Sequence, residues 1–286
     1  MNSLRQKIYL CKGMVREVIF SPRILCGYLI GFSGVIYGIV PYIKYTQDTV
    51  INLFEPFIIL LNQRSFVTYL LMGYFLLICN APFVNSRSQV TILRTTRQNW
   101  IDSMLIYIFT QTVCYYLFIF LFTIVVAAPK GFVGNMWSNV FYMISNYGSS
   151  AAAKAGVIVP QITFLQSWSV YEACIHSVLL LILYSLVIAV LLFLGNLGVR
   201  RFIGSIGAVA IHFIGYLIIS DALLSKIQYS LLANGILAYH DSSDMYAPRL
   251  SFSYGLFGFL LVLLCYLLHI EVRHCDLRNS VSERYV

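Results

Sequence analysis

The sequence predicts an all-α fold: a polytopic membrane protein with six transmembrane helices, an N-terminal interfacial helix and both termini cytoplasmic. Three observations carry that expectation. Six apolar stretches, residues 24–43, 66–84, 104–128, 175–195, 202–220 and 252–270, contain no Lys, Arg, Asp or Glu. Each is close to the about 20 residues that cross a hydrocarbon core, where the backbone must close its hydrogen bonds within helices. Hydrophobic residues make up 59% of the 286-residue chain and charged residues only 10%, unlike soluble domains. Finally, 13 of the 19 Lys and Arg lie in 1–23, 85–103, 196–201 and 271–286, and 6 in the alternate connections 44–65, 129–174 and 221–251. Basic residues concentrate on the cytoplasmic side. The net charge of +8 therefore reports orientation, and nucleic acid is not an expected partner. No connection is long enough for a soluble domain, so 1–286 reads as a single transmembrane domain. Within it, 1–23 is interfacial, 24–270 the six-helix unit and 271–286 a cytoplasmic tail.

Residues 5–20 are helically amphipathic. Leu10, Cys11, Met14 and Val18 share one face, and Arg5, Lys12 and Arg16 cluster opposite. That pattern describes a helix lying in the interface with its cations toward lipid phosphates and water; the alternative is a frayed basic tail. No apolar core leads on to a cleavage site, so no cleavable signal is expected. In the first span, Gly27, Gly31, Gly34 and Gly38 give two small-xxx-small spacings. They allow close approach of another helix, in this chain or in a second copy. Pro41 is expected to end that helix.

The segment 46–64 is too polar at its ends to span and reads as resting on the outer interface. Pro82 is expected to kink or end the second span. The connection 85–103 is dense in polar residues. Leu93 and Trp100, seven apart, lie on one side of any helix there, with Arg94 and Arg97 as a neighbouring cationic ridge. Orientation accounts for the arginines but not for a Trp among them, which fits a lipid anchor or a partner contact. Beyond the fifth span, 222–234 is either a pair of half-helices dipping back into the outer leaflet or a surface helix.

The seven cysteines are an odd set, mostly inside or beside spans, and read as packing residues. No phosphate-cradling G-x-x-x-x-G-K-[ST], H-E-x-x-H, paired C-x-x-C or G-x-S-x-G run is present. No catalytic, cofactor or metal site is therefore expected. The spans also lack carboxylates, which leaves ion-coupled transport few carriers. His212, in the middle of the fifth stretch, is the candidate intramembrane polar site. Hydrogen-bonded packing is one role for it and a relay is another. Cys174, His176, His269, His274 and Cys275 match no ligand spacing.

The order of elements resembles the ABC-2-type permease subunits of bacterial ABC transporters. So do three local runs: Phe54 to Leu60, Asn80 to Val84, and Leu93-Arg94-Thr95-Thr96-Arg97-Gln98-Asn99-Trp100. The likeness covers the whole chain by topology and about residues 50–105 by motif. It implies a bacterial plasma-membrane permease that hydrolyses nothing itself. Residues 5–20 become a connecting helix, and 90–102 a coupling helix whose Leu93, Arg94, Arg97 and Trp100 seat in a separate nucleotide-binding ATPase subunit. It further implies a second permease chain and, given 21 Tyr and 20 Phe, export of an amphipathic peptide, lipid or hydrophobic compound. The connection 129–174 is longer than many such permeases carry. A membrane binding or immunity-type protein, or a secondary transporter acting without an ATPase, remains the alternative.

Overall fold

The computed structural model describes residues 3–18, 21–79, 81, 96–148, 150–198, 203–220, 224–240 and 246–274. Helix α1 (Ser3–Val18) is amphipathic as expected, with Arg5, Lys12 and Arg16 exposed and Cys11 buried. Helix α2 (Pro22–Tyr45) begins where the Ser21 hydroxyl accepts the Ile24 N–H and where Pro22 occupies a position whose N–H has no helical partner. Pro41 does not end it. The helix runs on to Tyr45, and losing the one donor that would reach the carbonyl of residue 37 does not stop its neighbours.

Helix α3 (Glu55–Asn62) follows after a short link, and every one of its eight residues is buried. The segment 46–64 is therefore not a surface strip throughout: 47–50 are exposed, and 55–62 pack into the interior of the chain. Phe57-Ile58-Ile59-Leu60-Leu61 is apolar all round, and such a helix belongs inside. Gln63 adopts an extended conformation and starts α4 (Arg64–Ile78) in a new direction. Helix α5 (Arg97–Ala127), capped by the Thr96 hydroxyl on the Asn99 N–H, runs unbroken for 31 residues, about 46 Å.

The long connection after it holds α6 (Asn139–Tyr147), α7 (Ser150–Lys154) and α8 (Ile162–Ser167). Then come α9 (Val170–Gly198), α10 (Ile203–Ile219), the single turn α11 (Leu231–Asn234) and α12 (Leu250–His274). A two-residue parallel pair joins β1 (Ile51–Asn52) to β2 (Gly131–Phe132). Helix α9 is the hub, packed against α3, α5, α10 and α12. Within its most apolar window 61% of residues are buried, against 22% for α12, which is peripheral.

Among the described residues, four helices are long and apolar enough to cross a membrane: α2, α5, α9 and α12. The second and fifth predicted spans form shorter helices of 15 and 17 residues, α4 and α10, below the about 20 expected of a full crossing. For α4 the helix stops at Ile78, although the apolar run in the sequence continues to residue 84. Pro82 itself lies outside the described residues. Large apolar side chains stand exposed along the outer faces, among them Leu29, Tyr37, Phe109, Val125, Phe213 and Phe259. A hydrocarbon surround accounts for such a belt, and insertion in a membrane is consistent with it.

The glycines of α2 turn inward to this same chain. A Cβ on Gly27 would meet the Gly73 carbonyl oxygen at 2.8 Å, and one on Gly31 would meet the Tyr115 hydroxyl at 2.6 Å. The small-residue face is thus filled by α4 and α5. The segment 224–239 contains short turns with Leu232, Ala233 and Asn234 buried, so its second half enters the interior and is not a surface helix.

Candidate functional site

Two poles and a midpoint hold the polar chemistry. At the pole where α5 begins, Asp102 gathers three elements. The Lys7 ammonium of α1 lies 2.6 Å from its Oδ2, and His269 Nε2 of α12 lies 3.0 Å from its Oδ1. His269 Nδ1 faces the Cys265 carbonyl at 2.8 Å. Asn99 Nδ2 also donates to Gln6 Oε1 at 3.3 Å. Helix α1 is therefore docked along the first turns of α5, and its exposed edge carries Ile8 and Tyr9 beside the cations.

The four predicted partner-contact residues separate at this pole. Leu93 and Arg94 lie outside the described residues. Arg97 is the first residue of α5 and is exposed. Trp100 points inward, 2% exposed, edge-on to Phe193 of α9. Its ring does not form part of a contact surface, because α9 already fills the space it faces. The expected helix 90–102 is not a separate unit at its C-terminal end, where 97–102 continue without a break into α5.

At the midpoint, His212 bridges Tyr184 and Thr68, with Nδ1 2.8 Å from the tyrosine oxygen and Nε2 3.1 Å from the threonine oxygen. The Thr68 hydroxyl donates to the Arg64 carbonyl, so it accepts from Nε2–H, and Nδ1 in turn accepts from Tyr184. A single neutral tautomer satisfies every contact. This arrangement ties α4, α9 and α10 together, the hydrogen-bonded packing role.

At the opposite pole, Glu55 is wholly buried. It accepts from the Tyr42 hydroxyl at 2.9 Å, the Asn52 N–H at 3.1 Å, the Ser138 N–H at 2.6 Å and the Ser138 hydroxyl at 2.9 Å. Burial raises its pKa, and these four donors pull against that rise. Beside this node the connections 129–174 and 221–251 face each other across a cleft of about 360 Å³, within the usual range of ligand pockets. Phe164 and Trp168 form one wall and Leu237, Tyr239 and His240 the other, with Asn62 at the α3–α4 joint below. Asn62 Oδ1 accepts the Ala238 N–H at 2.9 Å, and its Nδ2 donates to Ser177. His240 is held by the Ile236 carbonyl and Ser253, and burial pushes its pKa down to about 4. Among the described residues, no Lys, Arg, Asp or Glu lines this cleft.

Among the described residues, no group of three or more His, Cys, Asp and Glu is placed to hold a metal ion. Sequence reasoning singled out neither the Asp102 junction nor Glu55. A lone acid at the head of an apolar run signalled the first, and an acid inside a greasy decapeptide signalled the second. No family model, no curated protein and no solved structure matches this chain.

Proposed function

We propose that this chain is a transmembrane permease subunit of an ATP-driven transporter, with ATP hydrolysed by a separate subunit docked at the α1–α5 pole. In this reading α4 and α10 complete six crossings, both termini are cytoplasmic and a second permease chain completes the pathway. The cargo class is an amphipathic peptide, lipid or hydrophobic compound. The observation that supports it is the Asp102 junction. It locks α1 and α12 to the head of an unbroken helix whose first residue, Arg97, faces out and whose far end meets the Glu55 node. A coupling element must make different contacts in two states, or it transmits nothing. A rigid rod clamped at both poles meets the mechanical half of that requirement.

The test is purification of the chain in gentle detergent from its native membrane, with mass spectrometry of the proteins that accompany it. A P-loop ATPase in stoichiometric amount is expected, depleted at least fivefold by Arg97→Glu. Trp100 is unsuited to this test, because its loss disturbs the interior. Absence of any ATPase, in a preparation that keeps other transporters assembled, would sink the proposal. It would favour a second reading for which the neutral cleft at the other pole speaks: a membrane-anchored binding protein that moves nothing.

A further inference from the structure

The cleft at the pole opposite α1 carries chemistry that the permease reading does not use. Among the described residues its walls bear no charged side chain, and an ionic ligand there would meet no counter-charge from them. Three aromatic rings, Phe164, Trp168 and Tyr239, face it from both sides, giving an apolar seat for one large side chain.

The decisive feature is the backbone along one rim. The segment from Val157 to Gln161 has no helix and no strand pairing. Only its first N–H is used, donating to the Ala152 carbonyl. The N–H groups of Ile158, Val159 and Gln161 and the carbonyls of Ile158, Val159 and Pro160 take no hydrogen bond among the described residues. Pro160 fixes its own φ and biases Val159 toward extended geometry, and Gln161 is extended at φ −68°, ψ 164°. In an extended run, residues two apart present their N–H groups along one edge. Val159 and Gln161 therefore share an edge, and the donor missing from Pro160 falls on the other. Unpaired backbone beside a neutral aromatic pocket is what strand addition by a peptide requires, with the main chain supplying affinity and the pocket supplying side-chain choice.

We infer that this cleft binds an extended, uncharged peptide segment, which pairs its backbone with Val159 and Gln161 and seats one aromatic or branched apolar side chain between Trp168 and Tyr239. Binding needs no ATPase and no movement of α5, so this inference and the permease proposal fail separately.

The experiment uses the full chain in lipid nanodiscs and a dye-labelled pool of capped, uncharged pentapeptides with Phe, Trp, Leu or Ile at the centre, read by fluorescence polarisation. Saturable binding is expected, weakened about tenfold when one central backbone nitrogen of the bound peptide is methylated, since a lost hydrogen bond is worth up to roughly that factor. Val159→Pro should weaken the parent peptide similarly, because it removes an N–H that the protein itself does not use. Thr163→Trp, which fills the cleft, should abolish binding while thermal unfolding stays within a few degrees of the parent. Equal binding of parent and methylated peptides would overturn the inference, as would failure of the whole pool to bind. Saturable occupation of the cleft by dodecyl maltoside, with no peptide of the pool binding, would overturn the inference and assign the cleft to a neutral sugar headgroup.

Discussion

Glu55 and His240 are both buried at one pole, and the fold moves their proton affinities in opposite directions. The folded chain holds the Glu55 proton more tightly than the unfolded chain does. Its contribution is therefore fully present below the ordinary carboxylate range and is lost as pH rises to the raised value. His240 releases its proton at about 4 when folded, against 6.5 ordinarily, so its contribution grows as pH rises from about 4 to 6.5 and is constant above. The two slopes oppose each other where their windows overlap. Thermal unfolding of Glu55→Gln should lose the falling component, leaving stability that climbs more steeply toward pH 6.5. Unfolding of His240→Gln should lose the rising one. Parallel pH profiles for parent and both variants would contradict the assignment. Glu55→Ala strands three buried donors and the Tyr42 hydroxyl and is expected to cost about 2–4 kcal/mol. His212, by contrast, is neutral and fully bonded, so Tyr184→Phe should affect packing between α9 and α10 and leave any transport pH profile unchanged.

Elements cohere here through close backbone approach. A Cβ on Gly73 would sit 2.6 Å from both the Gly27 carbonyl oxygen and the Tyr115 hydroxyl, whereas Gly255 on α12 faces open space. Gly73→Ala is accordingly expected to lower stability by about 1–3 kcal/mol through overpacking. Gly255→Ala should be neutral or raise it by up to about 1 kcal/mol. Differential scanning in one detergent compares the two directly, and equal effects would remove the claim that the α2–α4 crossing is tight. The sequence announced this crossing by spacing alone but not its partner, because small-xxx-small marks a surface without saying which helix arrives. The same limit explains the other elements. Apolar runs located α2, α5, α9 and α12, since length and composition decide insertion. They overstated α4, whose helix ends before its apolar run does. Amphipathicity located α1 and its exposed cations. The inward turn of Trp100 depended on Phe193, 93 positions along the chain, and no local pattern encodes a contact so distant.

At the scale of the molecule, the Asp102 junction distributes one carboxylate between α1 and α12. Its groups are partly exposed, so Asp102→Asn should cost no more than about 1 kcal/mol of global stability. Its larger effect should be local. Amide hydrogen exchange in α1 is expected to rise severalfold and to become insensitive to salt, while exchange in α9 stays as in the parent. Unchanged protection of α1 would show that its apolar face alone holds it in place.

The β1–β2 pair and the Glu55 node also set an order of events during synthesis. Ile51 pairs with Gly131, and Glu55 receives two of its four donors from Ser138. Those residues leave the ribosome some 80 positions later, which at about 5–20 residues per second is a wait of several seconds. Throughout that interval α2 and α3 are already made, yet the carboxylate between them lacks half its donors. The first third of the chain therefore cannot settle as an independent unit, and its completion belongs to the moment when the far end of α5 emerges.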